Sequence, residues 1–373
     1  MWQLIKFEIQ KLMGKKLTLV CLLGMALMEA VMIMNYIYPG GEAVQFFREG
    51  ELVTLGGKEG IEAAQAIGEK YQGPLTDAKV QAILADYDMK TEDMKAHGLD
   101  PSMEGMYTHN FLYGSLKAFY DGEGVWNGMT VEGVYGELAE DLNVGYSSGW
   151  ISLLLALMNT LISLGCVLII ILAPLFAEEY TRGTDALILT GAYGKSKCAR
   201  AKIIAGFLIT LGLVGIVILS FAAVYLLFHG TAGLEASVQI SDSGAFRSVS
   251  YPMSCAQAVL FALLMWFTAS LVLAAVSIFI SAAAKRAFNS LVISFVLFVL
   301  PLFANWESLG PLNLPAQFLP IRQMRLVEIF ACPLLHAGSL ELNLMWLSIP
   351  LSLAAVILGS LYARRTFARH QVV

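Results

Sequence analysis

The sequence predicts an all-α integral membrane protein: six transmembrane helices, an N-terminal interfacial helix, and a helical extracellular domain between spans 1 and 2. Three observations carry this reading. Of 373 residues, 57% are hydrophobic and only 14% charged, with a mean hydropathy of +0.67; a soluble globular chain carries about 25% charged residues. The apolar residues gather in blocks that contain no Asp, Glu, Lys or Arg, at 151–177, 203–228, 256–284, 287–306 and 342–363. Each block meets the roughly 20 residues that a helix needs to cross a hydrocarbon core about 30 Å thick. Finally, the basic residues between the blocks fall on alternate sides, as spans threaded back and forth through a bilayer require.

Residues 1–16 form the first element. Trp2, Leu4, Ile5, Ile9, Leu12 and Met13 make one apolar side, with Gln3, Lys6, Gln10 and Lys11 among the polar positions. Lysine opposite an apolar face bearing Trp describes a helix lying in the membrane interface, although a plain extension of the first span is the simpler alternative. Residues 17–38 are the first span, interrupted only by Glu29. A carboxylate inside a span is costly and marks a pathway residue by default; it could equally face a partner helix or a wet cavity. Lys6, Lys11, Lys15 and Lys16 precede this span in the manner of a secretion signal. The apolar run is longer than a signal core, and Met34–Tyr38 offers no small-residue cleavage site, so the span reads as retained.

Residues 39–150 hold 19 acidic and 7 basic side chains, a net of −12. The pattern is helical. Thr76-Asp77 can cap a helix running to about Ala96, with Val80, Ile83, Leu84 and Tyr87 at helical spacing. Val131, Val134, Tyr135 and Leu138 share one face of a second stretch, 131–142. Gly73-Pro74 and Asp100-Pro101 punctuate the segment. The acidity suits a solvated surface; recruitment of a cationic substrate or peptide is the sharper reading.

Orientation follows from the short loops. Fourteen basic residues lie on one side: Lys6, Lys11, Lys15, Lys16, Arg182, Lys195, Lys197, Arg200, Lys202, Lys285, Arg286, Arg364, Arg365 and Arg369. Only Arg247, Arg322 and Arg325 lie on the other. Lys and Arg in short loops stay cytoplasmic, which puts both termini in the cytoplasm of a plasma-membrane protein and 39–150 outside. The remaining segment, 151–373, carries spans 2–6, with a cytoplasmic connection at 180–200 and an outer loop at 307–341. In that loop, Leu312–Leu319 and Leu326–Leu335 are apolar runs too short to span, broken by Pro311, Pro315, Pro320 and Pro333. Such lengths suit a re-entrant or interfacial position, as well as an ordinary loop packed on the outer domain.

The cytoplasmic connection carries the most specific pattern. After the second span come Glu178-Glu179-Tyr180-Thr181-Arg182-Gly183-Thr184 and a short amphipathic stretch, Thr184–Thr190. A turn at Gly191–Gly194 follows, then the basic run Lys195–Lys202. A short helix between two long spans has the shape needed to pass motion on from a cytoplasmic partner. Glu179, Tyr180, Gly183, Thr184, Leu187, Leu189, Lys195 and Lys202 fit, without a gap, a pattern that resembles the permease subunits of type-2 ABC exporters of bacteria: Glu-Tyr-x-x-Gly-Thr, a Leu-rich turn, Pro-x-Ser-Arg/Lys, and a Lys opening the third span. Ala192 stands where Pro is common and Gly194 where Ser is common. The layout of spans matches over nearly the whole chain.

The resemblance implies a permease subunit paired with a second permease, identical or related, and with separate ABC ATPase subunits that bind ATP and Mg; this chain would hold no cofactor. It implies that 180–200 carries the coupling helix, and that the outer loop is a gate, with Arg322, Arg325 and Glu328 near one helical face and Glu29 as a further pathway residue. The exported substrate would be a peptide, a drug or a lipid-like molecule.

Other readings are weaker. Gly191–Ser196 is like the end of a phosphate-binding loop, but that loop needs Gly where Leu189 stands, after a strand rather than a span. Glu178-Glu179-Tyr-Thr-Arg182 is one residue shorter than the Glu-Glu-x-x-x-Arg of intramembrane glutamic proteases, which turns Arg182 by about 100° on a helix. A membrane receptor or a channel remains open from topology alone. No side chain is assigned a catalytic role, and nothing points to nucleic acid. Five cysteines are too few for a disulfide scaffold; Cys255 and Cys332 would share the outer side, where a bridge is geometrically open. The five histidines show no paired ligand spacing, so no metal is expected.

Overall fold

The architecture is described from a computed structural model. It covers the chain except residues 39–42, 49–50, 88–94, 97, 99–111, 113–114, 121–125, 192–193, 242–245, 247–248, 250, 332–333, 338–339 and 370–373. Cys332, whose pairing with Cys255 the sequence leaves open, and Ala192 and Arg247 lie outside the described residues; Cys255 is buried and makes no disulfide among the described residues.

The chain is mostly helical, and its long helices follow the apolar blocks. Five helical stretches are long and apolar enough to cross a membrane: Lys16–Tyr36, Ser148–Arg182, Ser196–His229, Cys255–Ala283 and Leu344–Arg369. The sixth expected span is a shorter apolar helix, Ala287–Phe303, whose last turn, Leu300–Phe303, tightens to a 3-10 helix. Pro301 explains the change, because it has no N–H to continue the α-helical ladder.

Contacts divide the chain into two units: residues Met1–Ala30, Leu157–Ser220 and Leu263–Val373 form one, and Val31–Ala156 with Phe221–Ala262 the other. The first unit begins with α1 (Trp2–Met13) and contains most of α2 (Lys16–Tyr36). α6 (Ser148–Leu172) leads through Ala173 into α7 (Pro174–Arg182). The short α8 (Asp185–Thr190) and a π-helical turn at Gly194–Cys198 then precede α9 (Ala199–His229). α10 (Cys255–Ala283), α11 (Ala287–Val299) and the last helix, α15 (Ser348–Arg369), are the other long elements, the starts of α6 and α10 and the end of α9 being counted with the second unit.

The joint between α6 and α7 was hidden inside one apolar block. Pro174 occupies the first position of α7, where its missing N–H costs nothing. Ser281 of α10 satisfies the groups this break exposes: its hydroxyl donates to the Ala173 carbonyl at 2.7 Å and accepts from the N–H groups of Phe176 (2.9 Å) and Ala177 (3.2 Å). Phe176 and Tyr180 then pack on Phe367 of α15, with ring centroids 4.9 and 6.0 Å apart. α7 is thus fixed from two sides.

The second unit is more mixed than the sequence suggested. It holds the antiparallel pair β1 (Ala43–Arg48) and β2 (Glu51–Gly56), then α3 (Gly57–Lys70). β3 (Gly73–Pro74) pairs with β4 (Asn143–Val144) and closes the stretch between them. α4 (Asp77–Tyr87) is capped by Thr76, whose hydroxyl accepts from the Lys79 N–H at 3.2 Å. Val80, Ile83 and Leu84 are buried, as their spacing predicts. The helix is described only to Tyr87, and the expected continuation to Ala96 lies largely outside the described residues. α5 (Val131–Tyr135) is shorter than the stretch expected and passes into a 3-10 turn at Gly136–Asp141. α3, α4 and α5, together with Leu112, Leu116, Phe119, Leu142 and Ile240, bury one core. At its edge Lys70 and Tyr71 both hold Asp86, keeping that carboxyl below its usual range, while burial and Asp86 push the Tyr71 phenol up to about 12.

Candidate functional site: a buried ion cluster beneath an exposed leucine

α7 ends where Gly183 takes a left-handed conformation, φ 66°. The Thr184 N–H donates to the Glu179 carbonyl (3.0 Å) and the Gly183 N–H to that of Tyr180 (3.3 Å). This is a Schellman cap, which needs a residue with φ > 0 at its turn and explains Gly-Thr at these positions. The chain reverses there and makes the single short helix α8.

Glu179 sits one turn before the cap and is 5% exposed. Its carboxylate accepts from Thr184 Oγ1 at 2.5 Å, from Lys11 of α1, and from Lys202 of α9 at 2.8 Å. Lys202 has no solvent exposure, and its ammonium also lies 2.9 Å from the carboxylate of Glu8. Two cations and two carboxylates from three helices therefore neutralise one another, the condition for holding charge away from water. Beside them, Glu178 pairs with Lys15 and, at 2.6 Å, with Arg182.

Glu8 is the residue that sequence reasoning missed. α1 was read with its lysines polar and its apolar side toward lipid. In the structure the stripe Ile5, Glu8, Leu12 is buried, and Ile5 and Ile9 pack on Ala201 and Ala205 of α9. Trp2 and Phe7 stay exposed. An acid at i+3 from one buried apolar residue and i−4 from the next was the available signal.

Tyr180 follows Glu179 in α7. Its hydroxyl donates to the Ala282 carbonyl at 3.1 Å, and Thr181 Oγ1 accepts from the Ala287 N–H at 3.1 Å. Both bonds tie α7 to the connection between α10 and α11. Within α8, Leu189 is buried at 7% exposure and Leu187 is 79% exposed. The expected pair of leucines thus splits into one anchor and one free side chain. Gly194 follows, in the π-helical turn. A Cβ there would stand 1.6 Å from the Ile188 carbonyl oxygen. That close approach accounts for glycine where the resembling family commonly has Ser. Lys195 belongs to the same turn, with its side chain outside the described atoms.

The residues of the 307–341 loop also come together. α12 (Asn313–Ala316), α13 (Pro320–Gln323) and α14 (Leu326–Phe330) are single turns in the loop that ends in the pair β5 (Leu334–Ala337) and β6 (Leu340–Asn343). Arg322 is 5% exposed and pairs with Glu328, Nε lying 3.1 Å from Oε2. It also donates to Asn313 Oδ1 at 2.7 Å and lies 5.3 Å from the Trp306 ring centroid. Arg325 reaches the same carboxylate at 3.3 Å and is more exposed. Trp266 Nε1 donates to the Met324 carbonyl at 2.9 Å, fastening the loop to α10. Glu29 has a different partner, accepting from the Ser220 hydroxyl of α9. Among the described residues no group of three or more His, Cys, Asp or Glu could hold a metal ion.

No curated protein and no solved structure matches the chain. The sequence pattern of a family described as "ABC-2 family transporter protein" matches residues 2–366. Membership implies a multi-pass membrane subunit that works with a separate ABC ATPase subunit and has no ATPase of its own. With apolar helices of membrane-crossing length throughout, the chain belongs to the ABC-2 transporter family, as a permease subunit.

Proposed function

We propose that this permease exports a peptide, drug or lipid-like substrate, driven by ATP that a separate subunit binds with Mg and hydrolyses. Two permeases, identical or related, assemble with two ATPase subunits. Both termini and the 180–200 connection lie in the cytoplasm, and 39–150 lies outside, as the basic count of 14 against 3 requires. Closure of the ATPase dimer pushes α8, and the push passes through Glu179 and Lys202 to α1 and α9. Arg322, Arg325 and Glu328 form the outer gate, and Glu29 lines the pathway.

The observation that carries this reading is Leu187: an exposed leucine on a six-residue helix whose other leucine is anchored and whose base is clamped by a buried ion cluster. A protruding apolar side chain on a rigid support suits a groove in a partner. A photo-crosslinking amino acid at 187 should capture the ATPase subunit, and the same group at 189 should not. Capture at both positions or at neither would contradict the docking role of α8.

A further inference from the structure

We propose that a cleft in the second unit is a binding site for an organic cation, an ammonium or guanidinium group such as a basic peptide presents. The inference stands on the cleft itself and not on how α8 is coupled. The cleft, open to solvent, has a volume of about 350 Å³ between α3, the β4–α6 joint and the loop 231–236 that follows α9. The polar residues that line it include Gln65, Glu69, Gln72, Tyr146 and Glu235.

The walls are held in place before any ligand arrives. Gly233 has φ +79°, and a Cβ there would lie 1.7 Å from the Tyr146 carbonyl oxygen, so loop and joint meet backbone to backbone. Trp150 Nε1 donates to the Ala232 carbonyl at 2.7 Å, and Gln65 Nε2 to the His229 carbonyl at 2.6 Å. His229 is fixed in turn: Nε2 donates to the Ile37 carbonyl (3.0 Å), which leaves Nδ1 to accept from the Tyr146 hydroxyl (2.9 Å). A preformed cleft avoids the ordering cost that a loose one would impose on binding.

Its chemistry selects positive charge. Glu69 and Glu235 supply two carboxylates, and no Lys, Arg or His lines the cleft. Neither carboxylate has a basic partner among the described residues. Of the nearby cations, Lys70 is engaged with Asp86, and Lys79 donates to the backbone carbonyl of Gln72 at 3.1 Å rather than to either carboxylate. A cation placed here gains charge-assisted hydrogen bonds, and the net −12 of residues 39–150 draws it in. The volume far exceeds a bare ion, and the third carboxylate or imidazole of a metal site is missing among the described residues. An organic cation fits both facts.

The test is titration calorimetry of the full-length protein in nanodiscs, with arginine amide as the probe and Ca²⁺ as competitor. Saturable one-to-one binding is expected. Glu69→Gln with Glu235→Gln should weaken it at least tenfold. Glu132→Gln with Glu137→Gln, which removes equal charge outside the cleft, should weaken it less than twofold. Thr231→Trp, which fills the cleft without touching its charge, should abolish binding and guards against misfolding of the double variant. Absence of saturable binding, equal losses in the two double variants, unchanged binding in Thr231→Trp, or displacement by equimolar Ca²⁺ would each overturn the proposal.

Discussion

Lys202 Nζ lies 2.8 Å from Glu179 Oε1 in a pocket that leaves the lysine no contact with solvent, and 2.9 Å from Glu8 on its other side. Removing one member of such a cluster leaves buried charge unpaired, at a cost of about 3–5 kcal/mol. Lys202→Met should therefore destabilise the protein by about that amount. Glu8→Gln keeps a hydrogen-bonding group and loses less, about 1.5–3 kcal/mol. Because the two residues share one network, the double variant should be less unstable than the sum of the singles. Thermal unfolding of the purified protein in detergent measures all three; strict additivity would mean that Glu8 and Lys202 act independently.

Gly194 is a second sharp position. Alanine or serine there puts a Cβ 1.6 Å from the Ile188 carbonyl, so α8 must move; at Gly191 the nearest atom to an added Cβ is 3.3 Å away. Gly194→Ala should cost about 1–3 kcal/mol, the range for overpacking, and should loosen α8 as seen by faster amide exchange at 185–190. Gly191→Ala should change exchange little. Equal behaviour of the two variants would contradict the close approach at Gly194.

The proposed orientation is checked in a cysteine-free background with single cysteines at Glu132 and Arg369, both exposed. An impermeant thiol reagent applied to intact cells should label Glu132→Cys and leave Arg369→Cys unmodified until the cells are broken. The reverse pattern would invert the topology.

The sequence was most legible where one residue type repeats over a long stretch. Charge-free blocks located the long helices, because hydrocarbon demands about 20 apolar residues and tolerates few exceptions. The joint at Pro174 was harder to see, since the apolar run continues through it and only the proline marks it. The spacing of Val80, Ile83 and Leu84 gave the buried face of α4. The β1–β2 pair and α3 went unread, being short elements whose partners the local pattern does not reveal. At the candidate site, Glu179, Gly183 and Thr184 were legible through the family pattern they match, and the cap they form joins residues within six positions. The ion cluster was not, because Lys202 and Glu8 are 194 positions apart. Periodicity orders residues along one helix and cannot pair two.

The central claim, that α8 docks on the ATPase through Leu187, is tested most directly by Leu187→Asp. Burial of a leucine contributes roughly 1.5–3 kcal/mol, and a carboxylate left in the contact costs more than truncation. The substitution lies on a side chain that packs against nothing essential in this chain, being 79% exposed. Expression, membrane insertion and thermal stability should therefore match the parent. Co-purification with the ATPase subunit should fall by at least tenfold, and ATP hydrolysis that remains should no longer be tied to export. A Leu187→Asp permease that assembles with the ATPase and exports as the parent does would contradict the account.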